Sequence, residues 1–157
     1  YLESQIEKHN LSNIKLMPYQ DKKYMPAINL FADFHFIAMN KSLENEGFPS
    51  KVYTIMASGK SMVVVSSENT PITSLIRETN AALIVTDHSL SSFKNAVLKL
   101  ISDKDLRNSL GANGRKIIEQ KYTKEKVINQ YIDLVEKLLT QKRIWDFLTP
   151  KNTVNFF

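Results

Sequence analysis

Two short apolar runs, Phe34-His-Phe-Ile-Ala38 and Met62-Val-Val-Val65, flank a stretch that reads as a helix, and that order leaves few topologies open. The second run is continuous rather than alternating, the pattern of a strand buried on both faces. Strands joined through a helix pair in parallel, with right-handed crossovers and a sheet covered on both sides. Between the runs, Pro49 stops any helix arriving from upstream. Ser50 is predicted as an N-cap whose oxygen accepts from a backbone N–H two or three residues on, and Gly59 falls where a left-handed C-terminal residue belongs. The spacing predicts a helix over Lys51 to Ser58. Its first turn is expected to aim roughly three or four unpaired N–H groups, the positive dipole end and the Lys51 ammonium at the loop Glu46 to Ser50, which suits a phosphate or diphosphate.

The rest of the chain extends this plan in both directions. Leu2 and Ile6 suggest a helix end, Ile14-Lys-Leu-Met17 is predicted as a strand, and Pro18 to Asp21 leaves it as a loop. Asp21 is expected to cap a helix carrying Tyr24, Ile28, Leu30 and Phe31, with Pro26 near its first turn. Downstream, Ser66 to Thr70 is a polar loop, Thr70 caps a helix opened by Pro71, and Ala81 to Val85 is the next strand. From Ser89 onward the periodicity is helical throughout. Phe93, Val97, Leu98 and Leu100 mark one helix, Asp103 caps a second with Leu106, Leu110 and Ile117, and Val127, Tyr131, Leu134 and Leu138 mark a third. The predicted fold class is α/β, a Rossmann-like parallel sheet with helices on both faces and a helical C-terminal extension. Ligands of such sheets bind outside the carboxyl ends of the strands. Glu46 to Lys51, Ser66 to Thr70 and Pro18 to Asp21 all leave from those ends.

The polar stretch also carries a family resemblance. Glu46-Gly-Phe-Pro-Ser-Lys51, followed by Met56-Ala-Ser-Gly-Lys60 and the valine run, resembles the donor-binding signature of retaining glycosyltransferases of family 4, which have the two-Rossmann GT-B architecture. The segment Asp103 to Arg115 is similar to that family's late helical segment, although helices covering a sheet face account for it as well. The resemblance implies that Glu46 faces the donor sugar near the reacting centre and that Gly47, Phe48, Pro49, Ser50 and Lys51 form the loop whose backbone N–H groups, Pro49 having none, hold the diphosphate. It further implies that the Met17-Pro18-Tyr19 turn stands where the nucleotide base is held, with Tyr19 as the participant, although an ordinary strand-to-helix loop accounts for the turn as well. The family's second Glu, which binds ribose hydroxyls, falls on Thr54 in this chain. A threonine offers one hydroxyl and no charge, so that contact is weaker or made differently.

Composition excludes several other chemistries. The chain has 157 residues, 43% of them hydrophobic, enough for one compact domain but not two, and residues 1–140 are taken as that domain with 141–157 as a tail. Without cysteine there is no disulfide, thiolate metal site or cysteine nucleophile, and the four glycines form neither a Gly-x-Gly-x-x-Gly nor a P-loop cradle. His9, His35 and His88 lack metal-ligand spacing, and His35 reads as a satisfied core or rim histidine. No metal or resident cofactor is called for; the nucleotide-diphosphate sugar is the donor substrate. A net charge of +5 permits attraction to phosphates but is not clustered with aromatics as nucleic-acid binders require.

The resemblance implies that this chain is a fragment of a transferase or one half of a split one, with an acceptor-binding domain expected as its partner and a glycine-rich turn and the diphosphate-clamping basic pair expected upstream of Tyr1. The expected reaction is transfer of a sugar to a glycan or lipid-linked acceptor, in the cytoplasm or at the inner face of the membrane, as in bacterial surface polysaccharide synthesis. The aromatic tail, Ile144 to Leu148 and Val154 to Phe157, fits packing on this domain, on a partner domain or at a membrane surface. A nucleotide-sugar 2-epimerase half and a non-catalytic interaction module are the alternatives.

Overall fold

The computed structural model describes residues 1–42 and 47–148, with side chains up to residue 141. Helix α1 (Leu2–Lys8) precedes an extended segment, and a 3-10 turn (Lys22–Tyr24) leads into α2 (Met25–Phe31). There follow β1 (Phe34–Ala38), α3 (Lys51–Ala57), β2 (Ser61–Val65), α4 (Pro71–Thr79) and β3 (Ala82–Val85). Three helices close the described residues, α5 (Leu90–Ser102), α6 (Lys104–Lys121) and α7 (Lys124–Leu148).

The strands form a three-stranded parallel sheet in the order β1-β2-β3, as the alternation of strands and helices implies. Its register pairs Ala38 with Val65 and Val65 with Val85, so three consecutive strands end level with one another. Period-two alternation splits β2 between two cores. Met62 and Val64 pack with Val52, Ile55 and Met56 of α3 and Ile72 and Ile76 of α4 on one face. Val63 packs on the other face with Val85, Leu100 of α5 and Leu110 of α6. Burying each such aliphatic side chain contributes about 1.5–3 kcal/mol.

Local signals place most of the elements. Thr70 caps α4, accepting from the Thr73 N–H at 3.3 Å, and Asp103 caps α6, accepting from the Leu106 N–H at 2.8 Å. Gly59 has φ +68, the left-handed conformation that ends α3. Asp21 accepts from the Lys23 N–H at 3.0 Å and so caps the 3-10 turn, while Pro26 lies in the first turn of α2.

Two expectations are corrected. Ile14 to Met17 is not a strand: it joins no ladder, and Ile14, Leu16 and Met17 are exposed. An apolar run becomes a strand only when a neighbour accepts its backbone hydrogen bonds, and β1, the sheet edge, does not pair with it. Ser50 does not cap α3 through its side chain. A capping hydroxyl needs extended dihedrals, whereas Ser50 sits at φ −56, ψ −21 inside a turn in which the Val52 N–H donates to the Pro49 carbonyl at 3.0 Å. The Tyr53 N–H likewise donates to the Ser50 carbonyl at 3.2 Å, so two first-turn donors predicted to face a ligand are used within the turn.

The longest excursion is made by α6. It starts on the face of Val63, passes beneath the amino ends of β2 and β3, and ends beside α3, where Tyr122 and Tyr53 stand 5.0 Å apart. Two glycines permit the passage. A Cβ at Gly111 would overlap the carbonyl oxygen of Gly59, and one at Gly114 would meet Met56 Cγ at 3.1 Å and Ala81 Cβ at 3.3 Å. At the crossing, the Arg115 guanidinium donates to the Ala57 carbonyl and Asn113 Nδ2 donates to the Asn80 carbonyl at 3.0 Å, satisfying carbonyls at two helix ends.

Gly111→Ala therefore sets a helix-propensity gain of about 1 kcal/mol against a backbone overlap that no side-chain rotation relieves. A net loss of about 1–3 kcal/mol in urea unfolding is expected. Gly47→Ala, whose Cβ would meet nothing within 4 Å, is expected to stay within about 0.5 kcal/mol of the wild type.

Candidate functional site

Because Ala38, Val65 and Val85 end in register, the segments that follow them emerge from one edge of the sheet. Backbone bonds prolong that alignment by a residue: the Met39 N–H donates to the Val65 carbonyl at 2.9 Å and the Ser66 N–H to the Val85 carbonyl at 3.1 Å. Parallel strands present their ligand crevice at this edge.

The first segment reaches α3 through Gly47 to Ser50. Phe48 packs onto the core and stacks on Tyr53 at 5.3 Å, and Pro49 is half-buried, whereas Gly47, Ser50 and Lys51 are exposed. An aromatic anchor thus holds a loop whose polar members face solvent. Burial, reinforced by Tyr122, raises the Tyr53 hydroxyl above the usual phenol range. Glu46, the predicted sugar-facing carboxylate, lies outside the described residues.

The second segment, Ser66 to Thr70, is held by buried hydroxyls. Ser66, Thr70 and Thr73 are at most 2% exposed. Thr70 Oγ1 lies 2.9 Å from Ser66 Oγ and 3.0 Å from Thr73 Oγ1, and Thr73 Oγ1 donates to the Ser67 carbonyl at 2.8 Å. These hydroxyls satisfy one another, which spends them on shaping the loop.

The third segment follows β3 and was not anticipated as part of the site. His88 Nε2 lies 3.2 Å from Ser67 Oγ, joining the loops after β2 and β3, and His88 adopts φ +54, rare for a residue with a Cβ. Glu68 is drawn to the same junction, its carboxyl held below the usual range chiefly by the hydrogen bond from Arg77, with Thr86 adding to the effect. Asp87 accepts from Ser92 Oγ at 2.6 Å and from Ser89 N and Oγ at 3.0 and 2.9 Å, and these bonds lower its pKa. The signal available in the sequence is positional: Thr86 to Ser89 follows a strand of the same sheet.

The other predicted residues lie apart from this cluster. Tyr19 is 87% exposed on the extended segment. Thr54 is exposed, donates Oγ1 to the Lys51 carbonyl at 2.9 Å, and lines a cavity of about 620 Å³ between α2 and α3 with Met25, Pro26, Asn29 and Arg115. His35 is part-buried with Nε2 3.1 Å from the Asn29 carbonyl, the satisfied rim histidine expected. Among the described residues no three His, Cys, Asp or Glu side chains converge as metal ligands would, and no helix is long and apolar enough to cross a membrane.

A parallel sheet covered on both faces, with loops converging at its carboxyl edge, defines a Rossmann-like α/β domain. Residues 1–117 match the family described as glycosyl transferases group 1, and the chain belongs to that family. Its fold is similar to sucrose-phosphate synthase from Thermosynechococcus elongatus, with a TM-score of 0.70 at 20% sequence identity. That likeness covers 89% of this chain and 34% of the synthase, so the chain spans about a third of the length of that enzyme. No curated protein sequence matches the chain.

The Asp87 bonds yield a pH prediction. A carboxylate whose pKa is lowered by folding contributes stability above its unfolded pKa of about 3.9 and loses it as pH falls through the depressed folded value. In acid unfolding followed by circular dichroism, Asp87→Asn is expected to be less stable than wild type near neutrality and to lose less stability on acidification.

Proposed function

We propose that this chain is the donor-binding half of a family-4 retaining glycosyltransferase, acting on a nucleotide-diphosphate sugar. The complete enzyme transfers a hexose-type residue to a glycan or lipid-linked acceptor, in bacterial surface polysaccharide synthesis at the inner face of the membrane. One observation carries the reading: the group 1 glycosyltransferase match spans all the residues of the Glu46 to Lys60 signature, and Gly47 to Lys51, the described start of that signature, follow β1 from the carboxyl edge of a parallel sheet.

The proposed roles follow from charge and position. Glu46 supports positive charge developing at the anomeric carbon, and Gly47 to Ser50 with the Lys51 ammonium receive the diphosphate, whose negative charge grows as the sugar departs. Exposure of Lys51 and Ser50 beside the anchored Phe48 leaves them accessible to such a ligand. Thr54 has donated its hydroxyl proton within the helix but keeps an acceptor lone pair for a ribose hydroxyl, and Tyr19 is assigned to the base. Ser67 and His88 brace the neighbouring loops. The acceptor-binding domain is the proposed partner. The apolar side of α7, where Tyr131 is 67% and Leu138 55% exposed, supports a covering domain of that kind.

Calorimetric titration with a panel of nucleoside diphosphates tests the reading. Saturable binding by at least one of them is expected, weakened tenfold or more when Glu46→Ala and Lys51→Ala are combined. Silence across the panel would overturn it in favour of a non-catalytic module, and donor epimerisation without acceptor would favour the epimerase. Without another polypeptide the chain is expected to transfer no sugar.

A further inference from the structure

The opposite edge of the sheet holds a second polar site. A cavity of about 210 Å³ opens there between the amino ends of β1 and β2 and the first turns of α6, lined by Asp33, Lys60, Ser61, Lys104, Arg107 and Asn108. Three cations thus face one carboxylate. Arg107 is partly fixed, since its Nη1 donates to the Leu100 carbonyl and to the Ile101 carbonyl at 2.9 Å. The dipole of α6 adds positive potential at its amino end, where Asp103 occupies the Leu106 N–H.

Ser61 supplies an independent observation. It is 1% exposed, and among the described residues its Oγ is the buried side-chain polar atom without a hydrogen-bond partner. Alternation along β2 puts its side chain on the face of Val63 and Val65, which pack against α5 and α6, and so toward the cations of α6. A buried hydroxyl left unsatisfied costs about 1–3 kcal/mol, a cost that a bound acceptor beside it relieves.

We infer that this cavity binds a phosphoryl dianion, either free phosphate or the phosphoryl end of a small monoester. Ammonium and guanidinium groups match such an anion in charge, and the Ser61 hydroxyl supplies a directed donor. The volume is below the about 300–1,000 Å³ of pockets for drug-sized ligands, which selects a compact anion over a nucleotide sugar. The site is distinct from the proposed donor edge, since Phe34 pairs with Ser61 at one end of the register and Ala38 with Val65 at the other.

Inorganic phosphate and glycerol 3-phosphate are titrated separately into the isotope-labelled 157-residue chain at constant ionic strength, and amide shifts and Tm are followed. Saturable shifts at Lys60, Ser61 and Lys104 to Asn108 and a rise in Tm are expected. Tighter binding of the ester assigns the site to monoesters, and equal binding assigns it to the phosphate group alone. Lys104→Ala combined with Arg107→Ala should weaken binding at least tenfold and leave nucleoside diphosphate binding unchanged. Ser61→Ala should weaken phosphate binding several-fold while leaving the ligand-free Tm unchanged or raised, whereas a purely structural serine would lower it. A response no different from that to chloride, or wild-type affinity in both variants, would overturn the site.

Discussion

The close passage of α6 under the turn between α3 and β2 is the constraint on which the remaining packing depends. Gly59 must be left-handed for α3 to end and β2 to begin, and Gly111 must lack a side chain for α6 to lie against that turn. Once the helix is seated, Gly114 rests on Met56 and Ala81, Arg115 and Asn113 satisfy helix-end carbonyls, and Ile117 and Ile118 close the core on the α3 face. One helix therefore contributes to both cores, Leu106 and Leu110 on one side of the sheet and Ile117 and Ile118 on the other. Seating α6 also brings Lys104 and Arg107 to the amino edge and Tyr122 to Tyr53.

The carboxyl edge divides its polar groups by purpose. Ser66, Thr70 and Thr73 are buried and mutually bonded, so they hold shape, whereas Ser50 and Lys51 are exposed beside an aromatic anchor. Rigid loops that present a few exposed polar groups suit ligand binding, because the ordering is complete before the ligand arrives. The contact between Ser67 and His88 extends this support across two strands, and the positive φ of His88 is the kind of local backbone cost that surrounding bonds sustain.

Most of the fold from Phe34 to Lys121 was legible because local chemistry marks each boundary: Thr70 and Asp103 as caps, Pro71 at a helix start, Gly59 at a helix end. Features that depend on partners distant in the chain were not legible. Ile14 to Met17 has strand composition, but a ladder requires a neighbour that periodicity does not report. Ser50 has the right chemistry for a cap, yet the Pro49 turn placed it in helical dihedrals. The apolar spacing of α7 announced a helix without saying that Tyr131, Leu134 and Leu138 stay exposed. The Gly47 to Lys51 loop was legible from its proline and the strand before it, while the His88 contact arises only when β3 lies beside β2.

Hydrogen exchange of the chain with and without a saturating nucleoside diphosphate tests the central claim, that the carboxyl edge receives the donor. Added protection is expected in the segments 47–51, 66–70 and 86–89, with the amino edge around Ser61 and Lys104 unchanged. Protection confined to α7 or to the amino edge, with those three segments unaffected, would contradict it.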